Sequence, residues 1–185
     1  RYLGSERVNN LIGTLVGRGA LGNKSKQGFF KEVRNAEGGK EFWALDLQTL
    51  EYKPPEKVRF ESIGKVRDEA DLGKRMQALM AAEDRAGDLV RALTYQGFAY
   101  ASERIPEIAD TPKPIDDAMR WGFGREAGPF EIWDMLGVAE TISGMKAAGF
   151  APAAWVEEML SNGCQTFYQI QGQTAVGVYS PALGG

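Results

Sequence analysis

The chain contains no histidine in 185 residues. That removes the usual neutral-pH general base, the Ser–His and Cys–His nucleophile pairs, and the commonest zinc ligand. Chemistry performed by this chain alone must use carboxylates, lysine or tyrosine. The single cysteine, Cys164, excludes a disulfide within the chain and fits a reducing, cytoplasmic setting. It has no cationic neighbour in sequence, so its thiol is expected to be inert. Positive charge is not in excess either. A net charge of -3 offers no long-range attraction to nucleic acid or anionic lipid, and neither is an expected partner. There is no run of about 18 apolar residues to cross a membrane and no charged-then-apolar leader. The first residue is Arg1 rather than Met, which reads as excision from a longer protein.

Hydrophobic residues make up 43% of the chain and aromatics 10%, enough for a core of one ordinary domain. The organising stretch is Asp110–Gly137. Pro114 is expected to start a helix, with Asp116 and Asp117 in its first turn where the helix dipole favours them. Gly122 and Gly124 stop it, Gly128-Pro129 starts the next helix with Glu131 in its first turn, and Gly137 closes that one. Trp121, Phe123, Phe130 and Trp133 then make a packing corner.

Either side of this corner the periodicity is mostly helical. Val8, Leu11, Ile12, Leu15 and Val16 predict a helix over 6–17. It runs into Gly17-Arg18-Gly19-Ala20-Leu21-Gly22, whose letters satisfy the dinucleotide fingerprint G-x-G-x-x-G. That fingerprint requires a strand before it, a helix after it and an acid about 20 residues later. Here a helical pattern precedes and a polar stretch follows, so a helix cap with a turn is the reading. Residues 28–33 and 41–46 form a hairpin around the turn 35–39. Pro54-Pro55 breaks the chain, and 56–69 reads as a weakly structured linker.

A helix is expected over 71–82, and a longer one capped by Asp84 over 85–104. The core stripe of the longer helix reads as Ala86, Leu89, Val90, Leu93, Gly97, Tyr100 and Ala101, with Ile105 at its end. Gly97 and Ala101 would admit a neighbouring helix closely, in preference to a cofactor groove. A helix over 138–148, one opened by Pro152, and a hairpin within 166–179 complete the chain. Leu11-Ile12, Leu15-Val16 and Gly19 recur as Trp155-Val156, Met159-Leu160 and Gly163 at a constant offset of 144. Each helix leads to a Phe/Tyr-rich hairpin, with Gly28-Phe29-Phe30 set against Gly177-Val178-Tyr179 and the spacing five residues different. This implies a duplicated module whose first copy is truncated.

Two motifs carry a family resemblance. Leu21-Gly22-Asn23-Lys24-Ser25-Lys26-Gln27-Gly28-Phe29-Phe30 is similar to a Leu-Gly-x-Lys-(Ser/Thr)-x-x-Gly-Phe-Tyr signature, with Phe30 in place of Tyr. Ile115-Asp116-Asp117-Ala118-Met119 with Gly122, Gly124, Gly128-Pro129-Phe130, Asp134 and Gly137 follows a second. Together they resemble the C-terminal region of 3-hydroxyacyl-CoA dehydrogenases, over most of residues 5–179. The resemblance implies an all-α fold of tandem helical repeats similar to the 6-phosphogluconate dehydrogenase C-terminal domain, with small β-hairpins. Residues 1–55 would be the remnant of a first repeat, 56–70 a linker, 71–179 the second helical domain, and 180–185 a linker toward an enoyl-CoA hydratase-like domain found in some relatives.

The implied function is the dimerisation and substrate-site part of an NAD-dependent enzyme of fatty-acid β-oxidation, with a helical scaffold binding neither CoA nor NAD as the rival. NAD would be held by an upstream Rossmann domain, which also carries the family's His–Glu base. The acyl-CoA substrate and a homo-oligomeric partner are implied likewise. No catalytic or cofactor-binding residue transfers to this chain, and no metal ligand set is expected. Arg18, Lys24 and Lys26 are candidates for CoA phosphates, against a plain solvated loop. Asp116, Asp117 and Asp134 could form an acid/base pair. The alternative makes the first two helix N-terminal charges and Asp134 a buried hydrogen-bond acceptor. Trp121 and Trp133 either stack on an adenine or anchor the core or a partner surface.

Overall fold

The computed structural model describes residues 5–172 and 174–185. The chain divides into two compact units, Arg1–Val58 and Arg59–Gly185. Among the described residues helices dominate, with two small antiparallel sheets.

In the first unit, helix α1 (Glu6–Gly17) begins where the Ser5 hydroxyl accepts the Val8 N–H. It ends at Gly19 (φ 70°), where Gly19 and Ala20 donate back to the carbonyls of Val16 and Leu15, both at 2.9 Å. Strands β1 (Phe30–Arg34) and β2 (Lys40–Leu45) then form the expected hairpin. Asn35 shapes its turn by accepting from Glu37 and Gly39. The sequence did not announce a third strand, β3 (Tyr52–Lys53), which pairs with β2 because Asp46 gathers the Gln48 and Thr49 amides into a tight turn.

The second unit opens with α2 (Glu61–Lys65), inside the stretch read as a weakly structured linker. Its order comes from one distant residue. Asp84 accepts both the Ser62 hydroxyl (2.9 Å) and the Ser62 amide (3.2 Å) while also capping α4 through the Gly87 N–H. Helix α3 (Leu72–Ala81) is capped by Asp71, and α4 (Arg85–Glu103) by Asp84 as expected.

The face of α4 is corrected. Of the expected stripe, Ala86, Ala101 and Ile105 are buried, but Leu89, Leu93 and Tyr100 are exposed, and Gly87, Phe98, Ala99 and Ser102 are buried instead. Nothing approaches Gly97, and the close contacts fall elsewhere: at Gly87, against the Ala82 carbonyl, and at Gly144 on α7, against the Tyr95 ring. A polar residue, Ser102, outranks the leucines because it is used on three sides. Its hydroxyl donates to the Ala99 carbonyl and accepts from Ala153, and its carbonyl accepts the Trp155 indole N–H.

Helix α5 (Pro112–Phe123) starts one pair of residues earlier than expected, since Pro112 and Pro114 both fit the first turn, where amides have no helical acceptor. Asp116 therefore lies beyond that first turn, which corrects its assignment as a helix N-terminal charge. Gly124 (φ 63°) ends the helix. Helices α6 (Pro129–Leu136), α7 (Val138–Ala147) and α8 (Ala154–Ser161) follow, and strands β4 (Tyr168–Gln171) and β5 (Thr174–Val178) close the unit. Gln173, which falls within the stretch 166–179 expected to form a hairpin, lies outside the described residues. At the centre, Trp133 stacks on Phe98 at 4.6 Å, and Phe167 meets Phe130 at 5.0 Å and Trp155 at 5.7 Å.

Candidate functional site

Two of the three expected carboxylates, Asp116 and Asp134, hold the same hairpin. Helix α6 opens with Gly128-Pro129, so its own N-cap has no side chain to offer the free amides of the first turn. Asp116, arriving from the middle of α5, supplies what is missing: Oδ1 accepts the Phe130 N–H at 3.0 Å and Oδ2 the Glu131 N–H at 3.1 Å. Glu131 reaches back to accept the Gly128 N–H at 2.7 Å, and Arg120 on α5 pairs with the same Glu131 at 3.1 Å.

The Tyr168 hydroxyl donates to Asp116 Oδ2 at 2.7 Å, tying the second hairpin to this cap. One turn along α6, Asp134 accepts the Phe167 amide on Oδ1 at 2.8 Å and the Tyr168 amide on Oδ2 at 3.0 Å. Two aspartates on two helices thus hold one hairpin and one helix start.

Burial pushes the carboxyls of Asp116 and Asp134 up to about 6, and for each it outweighs the hydrogen bonds that pull the other way. Nearby like charges add to this, Glu131 for Asp116, and Asp116 with Glu131 for Asp134. Tyr168 is pushed far above the ordinary phenol range, first by burial and then by its hydrogen bond to Asp116.

This arrangement suits capping rather than proton transfer. A carboxylate offers roughly four lone-pair positions, and three donors already occupy Asp116, which is 1% exposed. Asp117 does not join the cluster and pairs with Lys113 on the surface. Asp134 is the hydrogen-bond acceptor expected of it, though partly rather than fully buried. Tyr168 and Ser102 were not singled out in the sequence, since a tyrosine in a short strand and a serine in a helix carry no distinguishing pattern.

The remaining candidates disperse. Trp133 is fully buried, but Trp121 is 79% exposed and Phe123 stands beside it in solvent, so the packing corner is half core and half surface. The Arg18 guanidinium donates to the Leu50 carbonyl at 3.3 Å within the first unit, and Lys24 and Lys26 are exposed. The glycines of Gly17–Gly22 do not fit NAD. They follow a helix, Gly19 serves its C-cap, and only a three-residue helical turn comes next.

Among the described residues, no group of three His, Cys, Asp or Glu is placed to hold a metal, and no helix is long and apolar enough to cross a membrane. A cleft bordered by Glu61, Ser62, Lys65 and Asp84 lies against α2, but Lys65 is paired with Glu61 and Asp84 is committed to Ser62 and Gly87.

The sequence matches no family profile, and no solved structure matches it. Over 162 residues it is 35% identical to a protein of Bacillus subtilis (strain 168) described as a probable 3-hydroxyacyl-CoA dehydrogenase. The matched stretch is 88% of this chain and 20% of that protein, so the chain spans about one fifth of its relative's length. Over most of its length, then, this chain is similar to one segment of a protein described as a probable 3-hydroxyacyl-CoA dehydrogenase.

Proposed function

We infer that this chain is the non-catalytic helical part of an NAD-dependent 3-hydroxyacyl-CoA dehydrogenase of fatty-acid β-oxidation. It completes the wall of the acyl-CoA site and the surface between domains or subunits. The oxidation of the 3-hydroxyl belongs to a dinucleotide-binding domain elsewhere in the full-length polypeptide. The observation that carries this reading is the engagement of the two central carboxylates in structural hydrogen bonds. Of the three acids that the sequence offered for acid/base work, Asp116 and Asp134 are engaged in holding helix α6 and the β4–β5 hairpin, and Asp117 pairs with Lys113. Arg18, Lys24 and Lys26 remain the cations offered to CoA phosphates, and Trp121 with Phe123 the exposed aromatic pair offered to a partner surface.

The test is direct. The 185-residue chain, mixed with NAD and 3-hydroxybutyryl-CoA, is expected to form no NADH, and the full-length protein to form it. Turnover by the chain alone would sink the proposal. Titration calorimetry of the full-length protein with acetoacetyl-CoA, comparing wild type with the triple alanine variant of Arg18, Lys24 and Lys26, separates a substrate wall from a scaffold. Weakened binding supports the wall, and unchanged binding supports the scaffold.

A further inference from the structure

The signature stretch 21–30 builds a fixed loop and leads it into a sheet. The Ser25 hydroxyl accepts the Leu21 N–H at 2.8 Å and donates to the Gln27 carbonyl at 3.0 Å. Gly28 lies so close to Gly22 that a Cβ on it would fall 2.9 Å from the Gly22 Cα. The Tyr52 hydroxyl donates to the Gly28 carbonyl at 2.7 Å. These residues serve the loop, whereas Lys26 and Phe30 are presented by it. Lys26 is exposed, and its φ of 56° lies in the left-handed region that glycine fills more easily. Phe30, at the head of β1, is 61% exposed.

The strand register shows what Phe30 stands beside. Phe30 pairs with Ala44 and Glu32 with Phe42, so these four share one face of the sheet, with the two rings on a diagonal. Phe42 is 56% exposed, and the opposite face carries the half-buried Val33 and Trp43 and the buried Leu45. Arg34 opposite Lys40, and Lys53 opposite Ala44, complete the open face. Four of its seven positions are therefore charged, which suits neither a protein core nor the apolar centre of a subunit contact.

The charge of this face is positive in excess. Glu32 pairs with Lys40 at 3.0 Å, and Asp46 with Lys53. The Lys40 hydrogen bond holds the Glu32 carboxyl below its ordinary range, and Lys26 and Arg34 act on the same carboxylate at longer range. The imbalance extends to the whole first unit. Arg1–Val58 carries ten Lys and Arg against seven Asp and Glu, net +3 in a chain whose total is -3. Exposed rings beside surplus cations hold a planar base by its face and its phosphates by charge. Two rings have room for one base, and the net negative charge of the chain gives no pull on a polynucleotide.

We propose that this face seats the adenine nucleotide end of CoA, the base against Phe30 and Phe42 and the phosphates toward Lys26 and Arg34. Glu32, between the rings and the cations, offers its carboxylate to the exocyclic amino group of adenine. The proposal rests on the acyl-CoA reading above and locates the nucleotide of that substrate. It keeps Lys26 from the earlier cations and adds Arg34. Arg18, whose guanidinium is turned to the Leu50 carbonyl, takes no part.

The test is the kinetics of the full-length protein with 3-hydroxybutyryl-CoA and with 3-hydroxybutyryl-pantetheine, which lacks the nucleotide. The readout is the ratio of the two kcat/KM values. In the Phe30→Ala/Phe42→Ala variant this ratio is expected to fall at least about tenfold, the scale of a lost base stack, and to fall through the CoA substrate. Lys26→Ala with Arg34→Ala should lower it in the same way, and Phe30→Tyr, which keeps a ring for the base, should retain it. An unchanged ratio in the double phenylalanine variant would overturn the proposal. So would a raised KM for NAD with that for the CoA substrate unchanged, which would give the face to the other adenine nucleotide. A lowered melting temperature with unchanged kinetics would give it to protein packing and overturn it too. If wild type forms no NADH with either substrate, the acyl-CoA reading fails and this proposal with it. Wild-type turnover beside an unchanged ratio sinks the proposal alone.

Discussion

Gly128 lies so close to Asp116 that a Cβ built on it would fall 2.2 Å from Asp116 Oδ1 and 2.3 Å from Asp116 Cα. The glycine is required by the neighbour's backbone rather than by its own φ of -84°. Helix α6 can start here only without a side chain of its own, and for that reason its cap has to come from another helix.

Gly128→Ala is therefore expected to destabilise the second unit by about 2–3 kcal/mol, as over-packing against a fixed backbone does. Gly97→Ala is the control. It lies in the interior of α4 with nothing within 4 Å, so it should stabilise by about 0.5–1 kcal/mol. Urea denaturation of both variants measures the contrast, and similar effects would refute the account of Gly128.

Asp116→Ala removes one acceptor from two buried amides and one hydroxyl. A loss of about 2–4 kcal/mol is expected from an uncapped helix start with stranded donors. Tyr168→Phe removes only the hydroxyl and should lose about 1–2 kcal/mol. In a double-mutant cycle the two losses should be strongly non-additive, since both act through Oδ2. Additive losses would mean that the hydroxyl and carboxylate are not coupled.

Asp134→Ala is expected to release the β4–β5 hairpin rather than the helices. Amide exchange at Phe167 and Tyr168 should quicken well before exchange in α4 changes, because these amides are held by Asp134 alone on that side. Uniform quickening across the second unit would place Asp134 in the cooperative core instead.

Stability should depend on pH in a direction set by the two buried carboxyls. Both titrate near 6 in the folded chain against 3.8 ordinarily, because burial disfavours their charged form. Between about pH 4 and 6 the folded chain holds protons that the unfolded chain has released. Their contribution is thus present below about pH 4 and is lost as pH rises through 6, at up to about 1.4 kcal/mol per pH unit for each group. Asp84 acts oppositely: its hydrogen bonds, first among them the Gly87 amide, hold its carboxyl low, so its contribution fails only in stronger acid. The melting temperature should fall from pH 5 to pH 7, and Asp134→Asn should flatten that slope. A melting temperature that climbs over this interval would contradict the assignment.

The parts of the fold written in local chemistry were legible in the sequence. Asp84 before a helical pattern, Gly149 and Gly163 after two others, and Asn35–Gly39 between two short apolar runs each act through neighbours a few residues away. The site was legible only in part. Asp134 read correctly because an acid among Trp133, Leu136 and Phe130 needs an acceptor role. Asp116 was misplaced because its partners are distant in sequence, at Phe130, Glu131 and Tyr168. The α4 stripe held at Ala86, Ala101 and Ile105 but failed at its large residues for a related reason. Leu89 and Leu93 have the right spacing, but the core selected the face carrying Gly87, Ala99 and Ser102, whose small side chains let other elements approach. Periodicity reports which residues share a face and is silent on which face is covered.

The central claim is that the buried aspartates support structure and take no part in proton transfer. It is tested most directly by kcat of the full-length protein carrying Asp116→Asn, measured with 3-hydroxybutyryl-CoA and NAD well below the variant's melting temperature. The account predicts a kcat within about threefold of wild type with a clearly lowered melting temperature. A general acid or base contributes about 10²–10⁴-fold. A fall of a hundredfold or more in folded protein would therefore contradict it.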